Sequence, residues 1–396
     1  MELLERIYQM TAIGDIIANP ESLLMLAIAG VMLYLGIVKQ YEPLLLVPIA
    51  FGMLLANFPG GQMGVVKVPE EMELLEIARK HGIMNFVYYA VIKTGFLPPI
   101  IFMGVGALTD FGPMLRNLRL AFFGAAAQIG IFSVLISAVA IGFTMKEAAA
   151  LGIIGGADGP TAIYTTIKLA PHLLGPIAIA AYSYMALVPV IIPFVVRFTI
   201  TKKELQINMK KQDKLYPSSR PVKNLQALKI MFPIVVGSVV GILVPSSVPL
   251  LGMLMFGNLV KEIGAITGRL YDAASGAIMN AATIFLGLSV GATMTAYAFL
   301  NQETILIIVG GFIAFAISIA GGIFAVKLYN LFAKKKINPL IGATGLSAVP
   351  MASRVANEIA IKHDPSNHLL QYAMASNISG VIGSAVAAGV LISFLG

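Results

Sequence analysis

Residues 120–143 contain no charged side chain. At about 1.5 Å of rise per residue, such a run is long enough to cross a hydrocarbon core of ~30 Å as a helix. Residues 173–196, 305–326 and 369–395 repeat the pattern. In lipid each backbone N–H and C=O must be satisfied within the chain, so runs of this length and polarity are helices. With 58% hydrophobic and 12% charged residues and a mean hydropathy of +0.87, the 396-residue chain is too apolar for a soluble domain. The expectation is an all-α polytopic membrane protein. Its net charge of +8 comes from Lys and Arg gathered in short loops between apolar runs. That is the pattern of topology signals rather than of a nucleic-acid face. The N-terminus is acidic and has no basic region before its apolar run, so no cleaved signal is expected.

Within residues 148–167 the only charged side chain is Asp158, flanked by Gly155, Gly156, Gly159 and Pro160. A carboxylate at lipid depth is costly unless it has a partner, and it usually faces a pathway or a binding site. Glycines and a proline beside it predict a helix broken at that point, with Pro160 suited to the first position of a new helix. Broken backbone at that depth needs a protein or cavity environment. Parity gives the same result. If Arg116 and Arg119 are inside, 120–143 runs outward, and 173–196 must run inward to reach the basic loop at 197–229. The Asp158 segment between them therefore enters and leaves on one side. In the second half, 279–299 runs outward and 305–326 returns to Lys334, Lys335 and Lys336. The 339–353 run, bracketed by Lys336 and Arg354, dips in from the cytoplasm, and 369–395 leaves the C-terminus outside.

The two halves also match in residues. GADGPTAIY at 156–164 aligns with GATGLSAVP at 342–350, IFMG at 101–104 with IFLG at 284–287, and His172-Leu-Leu with His368-Leu-Leu. Their common order, at an offset of about 185 residues, predicts an inverted repeat, a recurring transporter plan in which broken elements meet near the midplane. The expected organisation is N-terminal membrane segments at 1–96, too short in places to fix their number of spans, and a first repeat at 97–196 with a re-entrant segment near 155–166. A basic cytoplasmic loop follows at 197–229, then additional segments at 230–278. A second repeat occupies 279–396, with its re-entrant segment near 338–353. Thr344 falls opposite Asp158, so one half alone supplies a charge.

Polar residues inside the apolar runs mark candidate sites. Tyr184 lies near mid-depth of 173–196, where a phenol bonded to a neighbouring helix carbonyl is the plainer reading. Asn338, Gly342, Thr344, Ser347, Ser353 and Arg354 lie in or beside the second broken segment, and Asn377 and Ser379 in the last run. Ser and Thr often serve packing in membrane helices; Ser347 gains weight from its match to Thr161. Hydroxyl, amide and carboxylate oxygens around one Asp suit a small hard cation such as Na⁺, whereas divalent sites use more carboxylates. Arg354 at the cytoplasmic mouth suits an entering carboxylate, or is a topology charge. The four His show no metal-binding spacing, and there is no Cys.

GGADGPTAIYTT at 155–166, YSYMALVPVIIP at 182–193, NPLIGATGLSAVPMASRV at 338–355 and SNISGVIGSAVAAG at 376–389 resemble the beta subunit of the sodium-translocating biotin-dependent decarboxylases. The similarity runs from about residue 20 to the end. It implies removal of CO₂ from carboxybiotin on a carrier subunit or domain, coupled to Na⁺ export across a bacterial or archaeal cytoplasmic membrane, with a proton consumed. By the resemblance, Asp158, Tyr184 and Arg354 are catalytic, and Arg354, Asn338 and Ser347 face carboxybiotin. Asp158, Asn338, Gly342 and Ser347 hold Na⁺, and the polar pattern of the last run adds Asn377 to them. The implied partners are a carboxyltransferase alpha subunit, a biotin carrier and a small single-span membrane subunit of gamma or delta type, in a homo-oligomeric assembly. A secondary Na⁺ symporter or exchanger without biotin chemistry is the alternative on the same repeat plan.

Overall fold

The computed structural model describes residues 11–40, 43–69, 71–216, 224–346 and 351–396. Every regular element among them is helical. Five helices are long and apolar enough to cross a membrane: Leu118–Ile141, Leu225–Leu243, Ala265–Ala292, Thr304–Phe332 and Leu370–Leu395. A sixth candidate is the bent pair Leu74–Ile92 and Leu97–Leu108, turned by 68°. The chain is an all-α multi-pass membrane protein.

One span differs from its expectation. The run read as 279–299 is helical from Ala265 and stops at Ala292, because Thr293–Thr295 interrupt it before a short helix at Ala296–Phe299. A π-helical stretch, Ala273–Ile278, leads without a break into Met279–Ala292. Position 278–279 therefore lies inside a continuous span.

The N-terminal helices Glu21–Ile37 and Pro43–Asn57 are short, at 17 and 15 residues. They are held by close backbone packing rather than by length. Gly52 lies against the Leu288 carbonyl and Gly291 against that of Ile49, contacts that a Cβ would block. Gly106 and Gly257 do the same between Leu97–Leu108 and Met253–Ile263. Small residues that let helices approach closely are the usual adhesive where lipid removes the hydrophobic drive.

The main core gathers around Leu118–Ile141, the long helix Gln302–Phe332 and Leu370–Leu395, and it contains two broken segments. The first enters as Met145–Gly152, tightens to a 3₁₀ turn at Ile153–Gly156 and leaves as Gly159–Leu169. Glu147 near its start meets His172 just past its end, with Nε2 and Oε1 2.8 Å apart. Its two limbs therefore open on one face. The second begins as a 3₁₀ turn, Pro339–Thr344, and continues as Met351–His363. Asn338 before it and Asn367 after it both donate to the Ile207 carbonyl, each at 3.0 Å. This segment opens on the face that carries the basic loop, the opposite end of the crossing helices from Glu147.

Candidate functional site

The first broken segment turns at Ala157, a non-glycine residue held in the left-handed region at φ 54°. Such a conformation costs roughly 1–3 kcal/mol and persists only where its surroundings enforce it. Here close packing does so: a Cβ on Gly155 would come within 3.1 Å of the Gly130 backbone on the crossing helix. The turn hands the chain to Asp158, which caps the N-terminus of Gly159–Leu169. Its Oδ1 accepts the Thr161 amide N–H at 3.4 Å, and Oδ2 accepts the Thr161 hydroxyl at 2.7 Å. The Ser384 hydroxyl donates to the same Oδ2 at 2.9 Å. Asp158 is 5% exposed. A carboxylate so buried is held by charge-assisted hydroxyl bonds and by the positive end of the helix it caps.

The last helix links this carboxylate to the second tip. Asn377 and Ser384 lie seven residues apart on Leu370–Leu395, two turns along one face. The Asn377 amide donates to the carbonyls of Leu346 at 2.5 Å and Thr344 at 3.2 Å, which fastens the second tip to the last helix. Its Oδ1 accepts no hydrogen bond among the described residues. Gln128 interrupts the Leu118–Ile141 span and sits between the tips. Its amide reaches the Gly345 and Gly380 carbonyls at 3.5 and 3.4 Å. Its buried Oε1 accepts no hydrogen bond among the described residues and faces Gly156, where a Cβ would stand 3.7 Å away. Both tips thus meet across Gln128, with Asp158 the one acid there among the described residues. Among the described residues no group of three or more His, Cys, Asp or Glu that could hold a metal ion is assembled.

The residues expected from sequence are dispersed. Tyr184 donates to the Ile308 carbonyl of the long helix and sets its ring edge-on to Phe312. Tyr182, two positions earlier, is the phenol beside the acid: its ring fills the space next to Gly159, within electrostatic reach of Asp158. The Tyr182 hydroxyl, 2% exposed at the residue level, has no partner among the described residues. Asn338 stands at the mouth of the second segment, its amide donating to the Leu205 and Ile207 carbonyls of the basic loop and its Oδ1 accepting from the Leu340 N–H. Gly342 lies backbone to backbone on Gly322 of the long helix, an approach any side chain would prevent. Arg354 is exposed in the first turn of Met351–His363 and makes no ion pair among the described residues. Ser347 lies outside the described residues.

Three oxygen-bearing side chains at the tips, Thr161, Ser384 and Gln128, are not marked as ligands by residue type alone. Thr161 carries a signal, since it follows Asp158 at the spacing of an N-cap partner. Ser384 and Gln128 sit in Gly- and Ala-rich helices, where small polar residues read as packing.

This arrangement, two half-broken segments closing on one buried acid, can be compared with known sequences. Residues 21–395 match the family described as the Na⁺-transporting oxaloacetate decarboxylase beta subunit. The chain belongs to that family. It is 48% identical to the methylmalonyl-CoA decarboxylase subunit beta of Propionigenium modestum, with 96% of each chain covered. It is 44% identical to the oxaloacetate decarboxylase beta chain 2 of Salmonella typhi, with 94% of each covered. A methylmalonyl-CoA decarboxylase subunit beta from Veillonella parvula is 48% identical over 94% of this chain and 92% of the relative. Family membership makes this chain the beta subunit of a Na⁺-transporting decarboxylase.

Proposed function

We propose that the chain decarboxylates carboxybiotin, presented by a carrier subunit or domain, and couples this to Na⁺ export across the cytoplasmic membrane. The observation that carries the reading is Asp158: a buried acid at a backbone break, its carboxylate bonded by the Thr161 and Ser384 hydroxyls beside Gln128, across which the two tips meet. Relatives of nearly equal similarity are named for two different acids, oxaloacetate and methylmalonyl-CoA. That favours a chain whose own substrate is common to both, the carboxylated carrier, while a carboxyltransferase partner selects the acid. A small membrane subunit and further copies of this chain complete the assembly.

In this reading Arg354, exposed at the cytoplasmic opening, receives the carboxylate by charge-assisted bonds. Loss of CO₂ leaves the ureido nitrogen needing a proton. Asp158 exchanges that proton for Na⁺, and Tyr182 lies beside it; Tyr184, bonded to the long helix, serves to hold the segment. The sequence match of the two tips and their openings on opposite faces support an inverted repeat, with access to Asp158 alternating between the two sides.

The test is the complex with its partner subunits in inverted vesicles, assayed for carboxybiotin decarboxylation and radioactive Na⁺ uptake together. The proposal requires decarboxylation that depends on Na⁺ and uptake that depends on carboxybiotin. Na⁺ movement driven by a solute gradient with no carboxybiotin turnover would instead make the chain a secondary symporter or exchanger. Arg354→Ala should raise the carboxybiotin KM at least about tenfold with little change in Na⁺ half-saturation, and lysine should restore it in part, since it lacks the planar fork.

A further inference from the structure

Where the long helix Gln302–Phe332 approaches the basic loop, a cleft of about 870 Å³ lies outside the Asp158 site. Phe324, Leu328 and Leu331 form one wall, and Ile129 faces them from the crossing helix. These side chains are 56, 59, 74 and 54% exposed. From Gly321 to Leu331 the wall runs about 15 Å along the helix axis, which is half of a ~30 Å hydrocarbon core. The cleft thus has the depth of one leaflet.

Its rim has a different character. Lys203, Lys327 and Lys336 line it against a single carboxylate, Glu204. Lys327 is spent on Glu204, with Nζ 3.1 Å from the carboxylate. Partial burial pushes the Glu204 carboxyl up, but hydrogen bonds from Thr201 and Lys327 outweigh it and hold the group below its ordinary range, so the pair stays ionised. Lys336 donates to the Asn330 carbonyl, and neither it nor Lys203 has a carboxylate partner among the described residues. Two positive charges remain at the cytoplasmic end of an apolar cleft.

An acyl chain alone would account for the wall but not for the lysines, and a soluble anion for the lysines but not for the wall. We infer that the cleft binds an anionic phospholipid of the cytoplasmic leaflet, its headgroup phosphate between Lys203 and Lys336 and an acyl chain along Phe324–Leu331. Basic pockets between helices on the cytoplasmic side are suited to such headgroups. The site also touches the transport machinery at one residue. Ile207 lines the cleft, and its carbonyl accepts from Asn338 at the mouth of the second broken segment. Lipid seated on Lys203 and Lys336 therefore steadies the strand of loop that holds that mouth.

The experiment uses the full chain purified with its partner subunits and stripped of lipid. Native mass spectrometry follows binding of phosphatidylglycerol and phosphatidylcholine of identical acyl chains, with thermal unfolding measured alongside. The expected result is at least tenfold tighter binding of phosphatidylglycerol, with a rise in Tm. That preference should be lost in Lys203→Gln/Lys336→Gln. Leu328→Trp, which fills the wall without touching charge, should weaken binding of phosphatidylglycerol as well. Retained Na⁺-dependent stabilisation certifies that each variant is folded. Equal binding of the two lipids by the wild type, or a tenfold preference that survives in the double lysine variant, overturns the inference. So does competition by glycerol 3-phosphate at the concentration of the lipid, which would make the apolar wall irrelevant. Because the chain has no Cys, Leu328→Cys can be cross-linked in native membranes. Quantitative cross-linking to a second copy or to a partner subunit would show a protein contact there and likewise refute lipid occupancy.

Discussion

Asp158→Asn separates the structural from the ionic role of the carboxylate. The amide oxygen can stand where Oδ2 stands and keep both hydroxyl donors, Thr161 and Ser384, while the amide nitrogen replaces Oδ1 and gives up the long 3.4 Å bond from the Thr161 N–H. The two bonds become neutral instead of charge-assisted, a loss of about 1 kcal/mol each, partly offset because no charge is then buried. Assembly and fold should survive. For the cation the change is larger. A unit charge about 4 Å away, at an effective dielectric of about 20, is worth ~4 kcal/mol, or about a thousandfold in affinity. In inverted vesicles containing the whole complex, half-saturating Na⁺ should rise at least a hundredfold while Tm falls by no more than a few degrees. On the proposed function proton and Na⁺ compete for one carboxylate, so the wild type should need more Na⁺ as pH falls, and the variant should show no such slope. Coupled Na⁺ uptake by Asp158→Asn with wild-type half-saturation would refute the argument and reduce Asp158 to a cap.

Ser384→Ala removes one hydroxyl from Asp158 without touching charge; the expected effect is a roughly three- to thirtyfold weaker Na⁺ half-saturation, read from the same titration, with Vmax retained. At the opposite mouth, hydrogen bonds from the Thr144 backbone and hydroxyl, with a smaller contribution from His172, hold the Glu147 carboxyl below its ordinary value of 4.5. A lowered carboxyl stabilises the fold above that ordinary value and loses its contribution as pH falls through the folded one. Wild-type Tm should therefore drop below about pH 4.5 more steeply than that of Glu147→Gln, measured by thermal unfolding across a pH series. Single cysteines introduced at Lys335 and Gly396 should label from opposite faces of the membrane, since Leu370–Leu395 crosses between the second broken segment and the terminus; labelling from one face would remove the opposed openings of the two hairpins.

The crossing helices are legible in sequence because length and apolarity suffice to define them. The break at Asp158 is legible for a related reason: an acid at lipid depth is tolerated where it meets a partner or a pathway, and the glycines and proline around it let the helix open there. The partners of that acid are harder to read. Tyr182 and Tyr184 are two residues apart on one helix and so point to different faces; which one meets Asp158 depends on how Leu174–Ala186 is rotated against Gly159. Ser384 and Gln128 look like packing residues until the two tips are brought onto their helices. Asn338 shows the reverse: an amide beside a broken segment reads as a ligand, yet its donors are taken by the carbonyls of Leu205 and Ile207, in a loop far earlier in the chain. The N-terminal helices cannot be counted as spans from sequence because their hold on Met279–Ala292 depends on glycine contacts at Gly52, Gly287 and Gly291, not on length.

The asymmetry between the two tips bears on coupling. Where the first tip carries Asp158, the second carries Thr344, whose hydroxyl is spent on the Ile341 and Ala373 carbonyls. On the proposed function the meeting point therefore holds one negative charge, neutralised by one Na⁺ or by one proton. A site with neither must carry an ionised carboxylate through a change of access, buried at 5% exposure, and burying an uncompensated ion is costly by several kcal/mol. A neutral site, in either form, passes without it. Alternating access would then proceed with Na⁺ bound in one direction and a proton bound in the other, and slippage with the site empty would be suppressed. The proton drawn from this exchange matches the one that decarboxylation consumes. A second acid at position 344 would remove this constraint: with two charges to neutralise, one Na⁺ would leave the site still negative, and the exchange of one ion for one proton would no longer balance.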